Sequence, residues 1–541
     1  MTALKPIGRT LVEFQPLQPA EKKLLVACRA GEPAIISEQR PTEATTDNTV
    51  RAAFLRFMLL GGDERAPVHE KGVQLRGAWV ADKLDMEGAR IPANVDMVAC
   101  HFSERPNFLA ASLQGSLNLS DSKAPGFVGD RLECDSNLFF RNFRTIGKVS
   151  LLGIQAGGDI VCAGASFDGA NESALSMDGA MTKGSVFLNE SFIAQGEVRL
   201  LGMQIGGELN CEGATFRNVN VDVDALAADG MSVTGAWFFR NIKLIVGGIS
   251  LSSAHIGQLI DDQKSWSDTL ILDGFVYDSI AGGAPTDAAT RIAWLDKQST
   301  SHAGLDGLGT KFKPQPWRQL IKVLREMGHA EDARQVSIAF EQRLRAANLI
   351  GQTPKDWNRF RAWSYRKISR KGHSLFGVLT GYGYRPLRLL AWMAGVWLFC
   401  AAVYWCAALH GVFAPSDPLV FQNKKYKVCA PSYVAPASAV VSPVKGAGNW
   451  YLCAALPEEY SGFSPLAYSL DVILPLVDLQ QESNWSPLIP TPNKTWHTEL
   501  FTFEGGKHWT RLLVWFEILF GWLASLLLVA VVSGLTERRE E

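Results

Sequence analysis

Residues 147–167, GKVSLLGIQAGGDIVCAGASF, return at 196–216 as GEVRLLGMQIGGELNCEGATF. Twelve of the 21 positions are identical at an offset of 49. A repeat this close restricts the chain to folds in which one unit stacks on the next. Inside each copy the apolar residues alternate: Val149 and Leu151, Ile160 and Cys162, Val198 and Leu200, Leu209 and Cys211. Period two sends one set of side chains inward and the other outward along short strands. The two strands of a copy start 11 residues apart, with Gly164-Ala165 and Gly213-Ala214 at nearby corners. A coil this small cannot bury its inner face alone, so coils must stack. A more distant copy begins at Val73, in register with Val149, and a degenerate one at Ile249. The pattern predicts a mainly β chain with a right-handed parallel β-solenoid over 65–280. The competing all-β arrangement, a β-sandwich, does not require near-identical copies.

Residues 1–64 read as a lead-in with a short helix at 20–28. A capping helix follows, N-capped by Thr49 and stopped by Gly61-Gly62. Its apolar side chains are expected to close the first coil. The 53 basic and 54 acidic residues nearly balance, so net charge gives no reason to expect a nucleic-acid partner. The chain has no Gly-x-Gly-x-x-Gly between strand and helix, no His-Glu-x-x-His, no Cys-x-x-Cys and no Gly-x-Ser-x-Gly. We therefore assign no catalytic residue, no metal and no cofactor. His69-Glu70 reads as a polar edge of the first coil. Cys28, Cys100, Cys134, Cys162 and Cys211 read as buried, reduced thiols. The first residues lack an apolar h-region, so no secretory signal peptide is expected.

Residues 281–350 form a connector. It holds a short helix at 288–298 and then a helical hairpin with tetratricopeptide-like spacing, its stripes being Leu320, Val323, Leu324 and Met327 against Ala333, Val336, Ala339 and Phe340. It is expected to dock the solenoid rather than to form a repeat array. Residues 351–388 carry Lys355, Arg359, Arg361, Arg366, Lys367, Arg370, Lys371, Arg385 and Arg388 against one acid, Asp356. Trp357, Phe360, Trp363 and Tyr365 interleave with them. This is the composition of a juxtamembrane segment in contact with anionic lipid headgroups. Thr380-Gly381-Tyr382-Gly383 reads as a turn.

Leu389 to Leu409 is 21 residues without a charge, long enough at about 1.5 Å per residue to cross a bilayer as a helix. A second apolar run, 511–535, contains one acid, Glu517, and is followed by Arg538 and Arg539 in the tail 536–541. The basic flanks of both runs then share a side. The positive-inside rule predicts cytoplasmic termini, with the loop 410–510 in the periplasm of a bacterium. Cys429 and Cys453 fall in that loop, and we expect a disulfide between them. Within the loop, 464–479 is apolar but too short to span. As one helix, kinked at Pro475, it would align Asp471 and Asp478 seven residues apart. Two readings follow: an interfacial helix lying on the outer leaflet, or a re-entrant helix whose acids line a pore in a homo-oligomer. Glu517 is a third candidate polar membrane group, placed near enough to the outer face to reach water.

PVHEKGVQLRGAW (67–79), LLGMQIGGELNC (200–211), PQPWRQLIKVLREMGH (314–329) and GYGYRP (381–386) resemble a family of bacterial inner-membrane proteins often labelled "membrane-associated oxidoreductase". The resemblance runs from about residue 50 to the second span. It implies the order solenoid, α-helical connector, two transmembrane helices. No flavin, nicotinamide, haem or iron–sulfur motif matches any position, so the oxidoreductase label is not carried over. The solenoid is also similar to pentapeptide-repeat and bactofilin-type rods, which implies assembly with itself or with a protein partner. The expected function is a non-catalytic, membrane-anchored scaffold, interaction or sensor protein, with a channel-like protein as the alternative.

Overall fold

The computed structural model describes the chain apart from residues 1–8, 171, 219, 221–222, 301, 304–310, 355, 435–443, 489–505 and 534–541. Lys355, Arg538 and Arg539 thus lie outside the described residues. The chain divides into two compact units, Met1–Gln352 and Thr353–Glu541.

The first unit is a parallel β-solenoid. A nine-stranded ladder runs from Thr49–Arg51 to Leu244–Val246, and a seven-stranded ladder from Phe127–Val128 to Leu270–Ile271. The remaining 17 strands form a sheet that contains two further ladders. These merge at Ser232–Phe239, which pairs with both Gln204–Ile205 and Leu209–Asn210. The expected inward residues, Val149, Leu151, Ile160, Cys162, Val198, Leu200, Leu209 and Cys211, are all buried. Burial pushes the thiols of Cys162 and Cys211 up to about 12, which leaves them unreactive protonated apolar groups.

The pairing corrects two points of phasing. Gln155 pairs with Met181, and Met181 with Gln204. The copies at an offset of 49 are therefore alternate coils, with a divergent coil between them. Val73 pairs with Val95 in a ladder that leads through Leu117 and Leu138 to Ile160, whereas Val149 stands in the seven-stranded ladder with Phe127. The Val73 copy is thus shifted by one face. All faces of a coil use the same alternation of apolar and small residues, so sequence similarity does not distinguish them. Ile249 does fall on the Val149 ladder, through Leu175, Val198 and Leu226.

Glycine fixes how closely the coils approach. A Cβ on Gly157 would stand 2.1 Å from the carbonyl oxygen of Asp135, and one on Gly206 2.5 Å from that of Lys183. Both contacts are with backbone of the preceding coil and cannot be relieved by a rotamer change. Inside, Phe127, Phe140, Phe143, Phe167, Phe192, Phe216 and Phe239 form a column, with successive ring centroids 5.4 to 6.4 Å apart. The column continues through Trp266 to Trp294.

Both ends of the rod are closed by a buried ion pair and a helix. At the start, Glu21, fully buried in helix Pro19–Ala30, accepts from Arg51 Nε at 2.7 Å and Nη2 at 2.6 Å. Thr49 does not cap a helix. Thr49–Arg51 pairs with Trp79–Ala81, as suits the β-branched Thr49 and Val50, and the helix begins at Ala52. Phe54, Leu55, Phe57 and Met58 of that helix are buried in the same core. At the far end, Asp261 accepts from Arg291 Nη1 and Nη2, both at 2.8 Å, and from Trp266 Nε1 at 2.7 Å. Arg291 lies on helix Ala288–Leu295, which stops short of Gln298. The hairpin Gln315–Glu326 and Ala330–Ala346 then docks on the last strand. Gln315 Nε2 and Gln319 Nε2 donate to the carbonyls of Phe275 and Tyr277.

In the second unit, helix Arg359–Thr380 ends at Gly381 in the left-handed region, and Tyr382 and Gly383 complete the turn. Two helices are long and apolar enough to cross a membrane, Leu387–Leu409 and His508–Val532. Just beyond the first, Phe413–Pro415 pairs antiparallel with Trp485–Pro487.

Two substitutions test this packing by chemical denaturation. Gly157→Ala is expected to destabilise the protein measurably, because the coils must separate. Arg291→Ala is expected to cost about 3–5 kcal/mol, since it leaves Asp261 as an uncompensated buried charge.

Candidate functional site

The second unit has a core of its own around one carboxyl group. A single acid on an apolar helix must find donors or lose much of its solvation free energy. Glu517, on helix Gly506–Val532, is completely buried. Tyr404 Oη donates to Glu517 Oε2 at 2.7 Å from the first apolar helix. Ser469 Oγ lies 2.5 Å from Glu517 Oε1 and 2.9 Å from the Trp397 carbonyl. Ser469 belongs to a short helix, Pro465–Ile473, that the chain inserts against both apolar helices. The expectation that Glu517 reaches water is corrected: its helix starts at Gly506 rather than near residue 511, and three elements enclose the carboxyl.

Several contacts fix the inserted helix. Its first turn is capped by Ser464, whose hydroxyl accepts from Ala467 N. Trp397 Nε1 donates to the Leu466 carbonyl at 2.9 Å. At its other end the backbone lies directly against the second apolar helix. A Cβ on Gly521 would stand 2.1 Å from the Ile473 carbonyl oxygen. Phe413, Phe463, Tyr468 and Trp485 pack around its outer part, with Phe413 and Phe463 centroids 4.5 Å apart.

Asp471 and Asp478 do not share a helical face. The helix ends at Ile473, because Pro475 disfavours helical geometry at Leu474, whose ψ is 100°. Asp471 turns instead to the returning backbone and accepts from Leu479 N at 2.6 Å, Gln481 N at 2.8 Å and Glu482 N at 2.9 Å. Asp478 is exposed and accepts only from Gln480 N, at 2.7 Å. The structure thus brings Glu517 to Tyr404 and Ser469, and gives Asp471 a backbone-organising position. Burial, reinforced by Asp471, raises Glu482 above the usual carboxylate range.

Cys429 and Cys453 are joined, with Sγ–Sγ 2.04 Å and Cα–Cα 5.5 Å. They belong to the same core as Trp450 and Phe413. The basic residues lie on the surface of helix Arg359–Thr380 and the turn after it: Arg359, Arg361, Arg366, Lys367, Lys371, Arg385 and Arg388 are exposed and Arg370 is half-buried. Phe360, Trp363, Ile368, Leu375 and Val378 are exposed beside them. Arg361 stands 4.1 Å from the Trp357 ring centroid and Lys367 4.4 Å from that of Trp363.

Sequence reading missed Tyr404 and Ser469. The available signal was the acid itself, since a mid-span carboxyl demands donors on the elements it faces. Neither donor has a distinguishing motif. The fold and this core define a β-solenoid protein with a compact helical unit built on two apolar helices. Comparison with protein-family models, curated proteins and solved structures finds no match. The resemblance to proteins labelled as oxidoreductases therefore gains no support from that side.

The roles of the acids separate on substitution. Asp471→Ala is expected to destabilise the detergent-solubilised protein by about 1–3 kcal/mol, through unsatisfied amides. Asp478→Ala should stay within about 0.5 kcal/mol. Glu517→Leu should cost more than Glu517→Gln, which keeps an acceptor for Tyr404. Tryptophan fluorescence during denaturation measures all four.

Proposed function

We propose that this protein is a membrane-anchored scaffold. Its solenoid offers a rigid polar surface for a protein partner or for further copies of the chain, and its second unit holds it in the bilayer. One observation carries the reading: a single chain joins a solenoid unit of 352 residues to a unit with two helices long and apolar enough to cross a membrane. Leu398, Phe399, Trp405, Leu519, Leu523, Leu526 and Val529 are all exposed on those helices. Such surface is costly in water and neutral in hydrocarbon.

The helix Arg359–Thr380 supports the same reading. Its exposed aromatics and cations suit the headgroup layer of an anionic leaflet. With the basic flanks on one side, the solenoid and both termini are cytoplasmic. The Cys429–Cys453 disulfide supports an oxidising compartment for the loop, as in a bacterial inner-membrane protein facing the periplasm. The channel alternative draws no support from the acids proposed for it, because Asp471 is occupied by backbone amides and Glu517 is enclosed.

Alkaline extraction of membranes tests the anchor. The full chain should remain in the pellet, and a chain lacking residues 387–532 should be released. Reversing Lys367, Arg370 and Lys371 to Glu in that truncated chain should weaken residual binding to anionic vesicles, by about 1 kcal/mol for each cation lost near the surface. Full release of the intact chain by carbonate would overturn the proposal.

A further inference from the structure

The segment from Ile36 to Asn48 folds back over the first coils of the solenoid. Ile36 N donates to the Arg76 carbonyl, and the Asn48 carbonyl accepts from Trp79 N. Arg40 Nη1 reaches the carbonyl of Asp121 at 2.8 Å. Segment and coils enclose an open cavity of about 500 Å³, lined by Arg40, Arg76 and Arg144 with Glu38, Asp121 and Asn142.

The cations are not matched by acids. On the adjacent ladder His101 pairs with Lys123, and Lys123 with Arg144. Neighbouring rungs lie about 4.8 Å apart, so two cations occupy directly opposed positions, an arrangement that destabilises a sheet. Among the described residues, neither Lys123 nor Arg144 forms an ion pair. Arg76 faces Glu38 at 3.3 Å. The Asp121 carboxylate is engaged by Asn142 Nδ2 at 3.0 Å. Arg40 is half-buried, and that burial together with the Arg144 charge lowers its pKa, with Asp121 opposing. Burial, then Lys123, holds the neighbouring His101 below the usual imidazole range, so it contributes no compensating change.

We propose that this cavity binds a phosphate monoester through Arg40, Lys123 and Arg144. Arg40, Arg76, Lys123 and Arg144 stand against Glu38 and Asp121, which leaves two positive charges over. A dianionic phosphoryl group neutralises two, whereas a carboxylate neutralises one. The guanidinium groups offer forked donors to its oxygens, and the cavity is large enough for an organic substituent. The ligand also relieves the repulsion between Lys123 and Arg144, so binding stabilises the first coils.

Isothermal titration of the detergent-solubilised full chain with glycerol phosphate, at low ionic strength, tests this. Saturable binding is expected. Arg144→Ala and Lys123→Ala should each weaken it by about tenfold or more, the loss of one charge-assisted contact. Arg217→Ala, further along the same ladder, should leave it unchanged. Arg144→Ala should melt no lower than the unaltered protein in phosphate-free buffer, and should lose the rise in Tm that glycerol phosphate produces. Competition by phosphatidic acid in mixed micelles would identify a lipid headgroup as the source of the ester, and its failure a soluble one. No saturable binding up to ~10 mM, or equal affinity in the Arg144 and Arg217 variants, would overturn the proposal.

Discussion

Parallel stacking of backbone on backbone is the constraint on which the first unit depends. Each coil satisfies its amides on the coils above and below, so the coils must meet at the strand spacing all around the ring. Gly157 and Gly206 show what this requires at a corner, where a single methyl group would strike the preceding coil's carbonyl. Once the backbone spacing is set, every inward position faces its equivalent one coil away. The phenylalanine column and the aliphatic ladders follow from that register rather than causing it. The same logic makes the ends vulnerable. A terminal coil has one satisfied face, and the chain covers the other with helices tied down by Glu21–Arg51 and Asp261–Arg291.

The second unit meets a related problem with different means. Its helices satisfy their own backbones, so what needs satisfying is side-chain polarity among apolar neighbours. Glu517, Tyr404 and Ser469 answer one another across three elements. Gly521 lets the inserted helix lie directly against the second apolar helix. A buried polar cluster of this kind contributes specificity of packing more than net stability. The Cys429–Cys453 bridge adds a covalent tie in the adjoining part of the same core.

Where one face of an element carried a simple period, the chain could be read directly. Val149, Leu151, Val198 and Leu200 announce their inward positions, and the charge-free run after Arg388 announces a helix of spanning length. Phasing was not legible in the same way. Val73 matches Val149 by similarity yet stands on another face, because every face demands the same alternation. Asp471 and Asp478 looked paired because a helix was extended through Pro475. The proline ends it, and Asp471 instead gathers amides that follow it in the chain. Tyr404 and Ser469 were invisible as partners of Glu517, since only the folded arrangement of three elements makes them neighbours. The cluster of Arg40, Lys123 and Arg144 was hidden for the same reason: the positions are far apart in sequence and meet only through the coil register.

The central claim is that one chain sets a solenoid and a disulfide-bridged loop on opposite faces of a membrane. Membrane-impermeant thiol labelling in sealed vesicles of defined orientation tests it most directly. In a Cys406→Ala background, Met181→Cys reports an exposed outer rung of the solenoid and Val434→Cys an exposed position in the loop. The account predicts that the two label from opposite sides, each becoming accessible only when its own face is outward. Labelling of both from the same side, or of both regardless of orientation, would contradict it.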